Sequence, residues 1–190
     1  MSSVPLPKSL GWYMPAEWAP HTRCWMLWPH RLDVWRKGAA PAREAFSAVI
    51  KAIARFEPVV IGVRSEDMHN AKQHLNGLQN VTITKIDSND AWMRDMGPTF
   101  LLKKSQAGGD DELSGVDWQF NAWGGLYSNY AEDNKVASNV LAYCSDTIKQ
   151  GYVAPFVMEG GSFHVDGEPQ GHLCCALTYV NVLHLHGMPA

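Results

Sequence analysis

The chain has 190 residues, 46% of them apolar, and a formal net charge of −3. That is enough for one domain with a sizeable core. Its 19 acidic and 16 basic residues form no basic patch, which argues against a nucleic-acid partner. The four cysteines Cys24, Cys144, Cys174 and Cys175 show no CxxC spacing, so they support neither a zinc site nor a disulfide framework. The expected setting is reducing and cytoplasmic, with no cofactor.

In chain order, residues 1–20 carry four prolines and read as an irregular arm. Met1–Lys8 has no apolar h-region and reads as no signal peptide. Thr22–Trp28 reads as a strand stopped by Pro29. Pro41 suits a helix N-terminus, and Phe46, Val49, Ile50 and Ile53 follow at helical spacing to about Phe56. Val59–Val63 is a short apolar run, as expected of a buried strand. Ser65 is placed to cap a second helix, which ends near Asn76-Gly77. Val81–Ile86 alternates like a strand, and Thr99–Leu102 reads as another.

Ser105–Ser114 is polar and reads as a surface hairpin or loop, followed by a strand at Val116–Asn121. Val136, Val140, Leu141, Cys144 and Ile148 mark a third helix. Tyr152–Val157 and Ser162–Val165 read as strands. The order strand–helix–strand–strand runs from Val59 to Leu102 and begins again at Val116, a weak repeat of α/β units. Leu173–Leu185 contains Asn181 and His184 and is too short and polar to span a membrane. Five of the eight tryptophans lie in the first 35 residues. Core burial is their default reading, and a rim or a homo-oligomer contact is the alternative.

Three stretches carry chemistry. Asp90-Ala-Trp92-Met-Arg-Asp95-Met-Gly-Pro98 combines an aromatic face with carboxylates. A flat organic cation suits that pair, because a ring face attracts cations and a carboxylate accepts two parallel guanidinium N–H bonds. If extended, the segment puts Asp95 and Met93 on one face. A loop with an Asp cap and a local Arg–Asp pair explains the same residues about equally well. In Phe120-Asn-Ala-Trp123-Gly-Gly125 a Gly pair after a Trp lets backbone approach a ligand closely, but by itself the stretch reads as an ordinary turn after a strand. In Glu159-Gly-Gly-Ser-Phe-His164-Val-Asp166-Gly-Glu168, a carboxylate at a strand end adjoins two residues without side chains. His164 and Asp166 read as a solvated pair on a hairpin.

These stretches, with Met14–His21 and Trp25–Pro29, resemble the agmatine deiminases of the bacterial-type peptidyl-arginine deiminase family, within the guanidine-modifying superfamily. The resemblance covers residues 14–168. It implies a partial, truncated pentein-type α/β propeller of ββαβ repeats, formed by residues 1–168 and followed by a divergent tail at 169–190. It also implies hydrolysis of agmatine to N-carbamoylputrescine and ammonia through a cysteine thiolate. Asp95 would grip the guanidinium, Trp92 would line the substrate channel, and Glu159 would contact the guanidinium and orient a general-base histidine.

The resemblance stops after Glu168. The family's Gly-His-x-Asp motif, which supplies the base, and its Gly-Gly-Asn-x-His-Cys nucleophile motif are absent. Gly171-His172-Leu-Cys174 has a cysteine where the first motif has Asp, and Cys174 and Cys175 lack the residues that precede the nucleophile. The 190-residue chain is therefore expected to have little or no activity alone. The rival readings are an enzyme acting on free or peptidyl arginine and a non-catalytic subunit that docks on a full-length enzyme.

Overall fold

The computed structural model describes residues 6–106, 108–167 and 173–174. The chain divides into two compact units, each built from separated stretches. One unit comprises residues 20–93 and 129–136; the other comprises residues 1–19, 94–128 and 137–190.

The first unit is a parallel sheet in the order β1 (Cys24–Leu27), β2 (Val59–Val63), β3 (Val81–Lys85). Helices α1 (Ala40–Ile53) and α2 (Met68–His74) make the crossovers that parallel neighbours require. Every residue of β2 is buried, which is why it reads as an unbroken apolar run rather than an alternation. Val59, Ile61 and Val63 pack with Trp28, Ile50, Ala54, Ala71 and Leu75. On the opposite face, a Cβ at Gly62 would lie 2.8 Å from Leu27 and 3.0 Å from Ile86, so any side chain there would make those neighbours shift.

The predicted elements of this unit are present with changed ends. Pairing in β1 begins at Cys24, two residues later than expected, and α1 ends at Ile53. Val49 is exposed; it lies at the margin of a stripe centred on Phe46, Ile50 and Ile53. Ser65 does not cap α2. It opens a 3-10 turn, Ser65–Asp67, that feeds the helix without a side-chain cap. Arg43 and Arg64 instead converge on Asp67 there.

Residues 129–136 return to this unit through a buried carboxylate. Asp133 accepts hydrogen bonds from the backbone N–H groups of Asn89 (2.6 Å) and Asp90 (3.0 Å). Asn89 reciprocates by accepting from the N–H of Glu132 at 2.9 Å. Asp90 accepts from its neighbour Ala91 N–H at 2.8 Å and pairs with Arg31 at 2.9 Å. The bond from the adjacent Ala91 is not a cap, and the Asp90 carboxylate is held instead by the ion pair with Arg31.

The second unit is a mixed sheet, β4 (Thr99–Lys103), β5 (Glu112–Gln119), β6 (Ile148–Val157). β4 and β5 are antiparallel, and β5 and β6 are parallel across helix α5 (Val136–Tyr143). This is one ββαβ repeat. The repeat read from Val59 to Leu102 is misframed, because β4 pairs with β5 rather than with β2 or β3.

β5 begins four residues before Val116 and absorbs the end of the supposed 105–114 loop. Ile148 starts β6 instead of ending a helix. Lys149-Gln150-Gly151 hides that start, since an edge strand tolerates polar residues and glycine. The register between β5 and β6 shifts twice. The second shift spans Pro155, which has no N–H to give the ladder.

The N-terminal arm is not irregular throughout. Tyr13 exchanges both backbone bonds with Leu102, at 2.9 and 2.8 Å. The arm thus covers the free side of β4, and Trp12 enters a core with Leu101, Val116, Tyr152 and Ala154. Of the tryptophans, Trp12 and Trp28 are core, whereas Trp18 is exposed. The tail 169–190, including Gly171, His172 and Cys175, lies outside the described residues except for Leu173–Cys174. That pair forms β8 against β7 (His164–Val165). Among the described residues no helix is long and apolar enough to cross a membrane.

Replacing Asp133 by Ala would strand two backbone donors and is expected to destabilise the chain by about 2–4 kcal/mol in a urea titration. Asp110→Ala, at an exposed loop position, should stay within about 0.5 kcal/mol.

Candidate active site

The first motif folds as a turn, not as extended chain. Met93–Met96 forms a single helical turn, α3, so the alternation that grouped Asp95 with Met93 does not apply. Gly97-Pro98 stops it, because the residue before a proline is driven out of the helical region. Within the second unit, Arg94 reaches outward to Glu17 at 2.7 Å. Both partners are solvent-exposed, so the pair adds little stability. Asp95 turns inward and is half-buried. Burial pushes its carboxyl above the usual carboxylate range, while a hydrogen bond from the Trp123 side chain and the Arg94 charge oppose that rise.

The third motif explains its own glycines. Glu159 follows β6, as expected, and is buried. Its carbonyl accepts from the Ser162 N–H (2.9 Å) and the Ser162 hydroxyl (2.6 Å), which closes a 3-10 turn at Gly160–Ser162. The expected strand at Ser162–Val165 is accordingly shortened to β7.

A Cβ on Gly160 would stand 2.3 Å from the carbonyl oxygen of Arg94, and one on Gly161 would stand 3.3 Å from Asp95 Oδ1. The Glu-Gly-Gly turn is therefore laid directly on the Arg94-Asp95 turn. Close backbone approach, rather than left-handed dihedrals, is what these two glycines provide.

The second motif joins them. Phe120-Asn-Ala-Trp-Gly-Gly contains a left-handed loop, α4 (Ala122–Gly125), and is no ordinary turn. It delivers the Trp123 side chain to Asp95. Sequence reasoning missed Trp123, although the Gly pair behind it was the available signal. Three separated stretches thus meet around one carboxylate within a single unit.

Trp92 belongs to the other unit, where it is partly exposed and tilts against Trp35, with 5.9 Å between ring centroids. His164 and Asp166 are exposed, in keeping with the hairpin reading.

Residues 13–180 match the Porphyromonas-type peptidyl-arginine deiminase family. The agmatine deiminase of Stutzerimonas stutzeri is 49% identical over 168 residues, which cover 85% of this chain and 43% of that protein. The agmatine deiminase of Pseudomonas syringae pv. tomato is 48% identical with the same coverage. The solved agmatine deiminase of Enterococcus faecalis superposes with a TM-score of 0.77 at 41% identity, covering 85% of this chain and 43% of that one. The chain spans less than half the length of these relatives. Its mixed α/β units are those of a partial pentein fold, and the chain belongs to the Porphyromonas-type peptidyl-arginine deiminase family.

Proposed function

We propose that these residues form the guanidinium-gripping part of an agmatine deiminase, a cytoplasmic hydrolase that makes N-carbamoylputrescine and ammonia on the way to putrescine. The observation that carries this reading is the half-buried Asp95 carboxylate, enclosed by Trp123 and the Glu159-Gly160-Gly161 turn. The relatives' names supply the substrate.

Burying a guanidinium costs several kcal/mol unless it is paired. Asp95 is the first carboxylate partner and the buried Glu159 the second, with Glu159 also orienting the base. Trp92, in the other unit, offers an exposed ring face of the kind that attracts an organic cation. Agmatine is favoured over free arginine by the full Asn89-Asp-Ala-Trp-Met-Arg-Asp-Met-Gly-Pro98 and Phe120-Asn-Ala-Trp-Gly-Gly125 wording; an arginine clamp for an α-carboxylate is the feature that would separate the two.

The purified chain is expected to release no ammonia from agmatine above background. Turnover abolished by Cys174→Ala or Cys175→Ala would refute that expectation. Residues 1–168 joined to the C-terminal half of the Enterococcus faecalis enzyme provide the background for testing the carboxylates. There Asp95→Asn leaves a buried cation short of one partner, a cost of about 3–5 kcal/mol. kcat/KM should then fall by about two to four powers of ten; a change of under about threefold would make Asp95 structural.

In the same background Glu159→Gln keeps size and hydrogen bonding but removes charge. kcat should fall by about a hundredfold or more, and affinity by less. Lost binding with single-turnover chemistry at the unmutated rate would reduce Glu159 to a substrate anchor.

A further inference from the structure

We propose that Trp123 is a positioning residue: a left-handed loop presents its indole N–H to the Asp95 carboxylate and fixes the direction in which that carboxylate meets a cation. The proposal rests on the reading of Asp95 as the guanidinium grip.

The loop's backbone is the first observation. Ala122 and Trp123 have φ of 56° and 53°, and Gly124 and Gly125 continue at 85° and 89°. The left-handed region is disfavoured for a residue that carries a Cβ. A turn that served only to reverse the chain would place Gly or Asn at both positions. Here an Ala and a Trp are held there.

The holding groups are identifiable. The Asn121 side chain accepts from the Gly124 N–H at 2.8 Å. The N–H groups of Gly125 and Leu126 donate to the carbonyls of Asn121 and Ala122, each at 2.8 Å. Ala122 is fully buried. Strain that is overdetermined in this way characterises functional loops.

The ring is fixed as well. Phe120 packs edge-on against Trp123 at 5.2 Å and 87°, and Tyr127 packs against it at 6.1 Å. These two ring contacts restrict the orientations open to the indole. Asp95 has Gly161 on another side, where even a methyl group would be tight at 3.3 Å. The carboxylate is thus bounded by a donor and by a surface without side chains. Burial favours its neutral form, and the indole bond works against that. A cation-binding carboxylate needs that opposition, because only the ionised form pairs with a guanidinium.

The test is an NMR titration of the 190-residue chain. The indole 15N–1H signal of Trp123 is identified by its loss in Trp123→Phe, and the Asp95 carboxyl 13C signal by its loss in Asp95→Asn. The indole signal is expected to shift through the same midpoint as Asp95. Trp123→Phe should move the Asp95 midpoint upward, and Asn121→Ala should move it the same way by less. An indole signal that stays flat through the Asp95 midpoint overturns the proposal, as does an unmoved midpoint in folded Trp123→Phe. If Trp123→Phe does not fold, Trp indole signals assigned through the unmodified chain and Asn121→Ala still decide. Agmatine is then added at saturation. An Asp95 signal that it leaves unmoved counts against the guanidinium grip but not against the Trp123–Asp95 link. With the grip intact, Trp123→Phe should bind agmatine about tenfold more weakly, the loss expected for one hydrogen bond to a charged group.

Discussion

The approach of two backbones at Gly160 is the constraint on which the site depends. With only 2.3 Å between a notional Cβ and the Arg94 carbonyl oxygen, any side chain would force the turns apart. Those turns come from positions more than sixty residues apart in sequence, so neither can hold the arrangement alone. Ser162 contributes from beneath by tying its N–H and hydroxyl to the Glu159 carbonyl. The glycines and the serine set the distance between chains, and the Asp95 carboxylate lies against Gly161 where they meet.

Each unit secures its irregular parts with side-chain-to-backbone bonds rather than with longer regular elements. Asp133 satisfies the N–H groups of Asn89 and Asp90, and Asn121 satisfies that of Gly124. Buried backbone donors must be paired, and short polar side chains can do this where the chain leaves helix and sheet. The motif 89–98 therefore has two kinds of residue. Asn89 and Asp90 shape the loop, and Asp95 faces inward within the other unit.

Much of this was readable in the sequence where physics is local. The apolar run Val59–Val63 and the stripe Phe46, Ile50, Ile53 specified a buried strand and an amphipathic helix. The Glu159 strand end was placed by the same logic. What could not be read was set by distant partners. β5 begins at Glu112 because β4 and β6 offer it bonds, not because Leu113-Ser-Gly is strand-like. Trp123 looked like turn furniture because its role requires Asp95 to arrive from elsewhere. The repeat was misframed because periodicity says that a strand exists but not which strand it pairs with.

The interleaving of the two units has a consequence for synthesis from the N-terminus. Residues 1–19 belong with chain that follows residue 94, and the first unit is completed only when 129–136 return to it. During translation, Trp12 and Tyr13 lack their β4 partners until Leu102 has left the ribosome. At roughly 5–20 residues per second, that interval lasts several seconds. The Asn89-Asp90 backbone waits in the same way for Asp133. The growing chain therefore passes through an obligatory period in which Trp12 and Tyr13 are present without the strand that covers them.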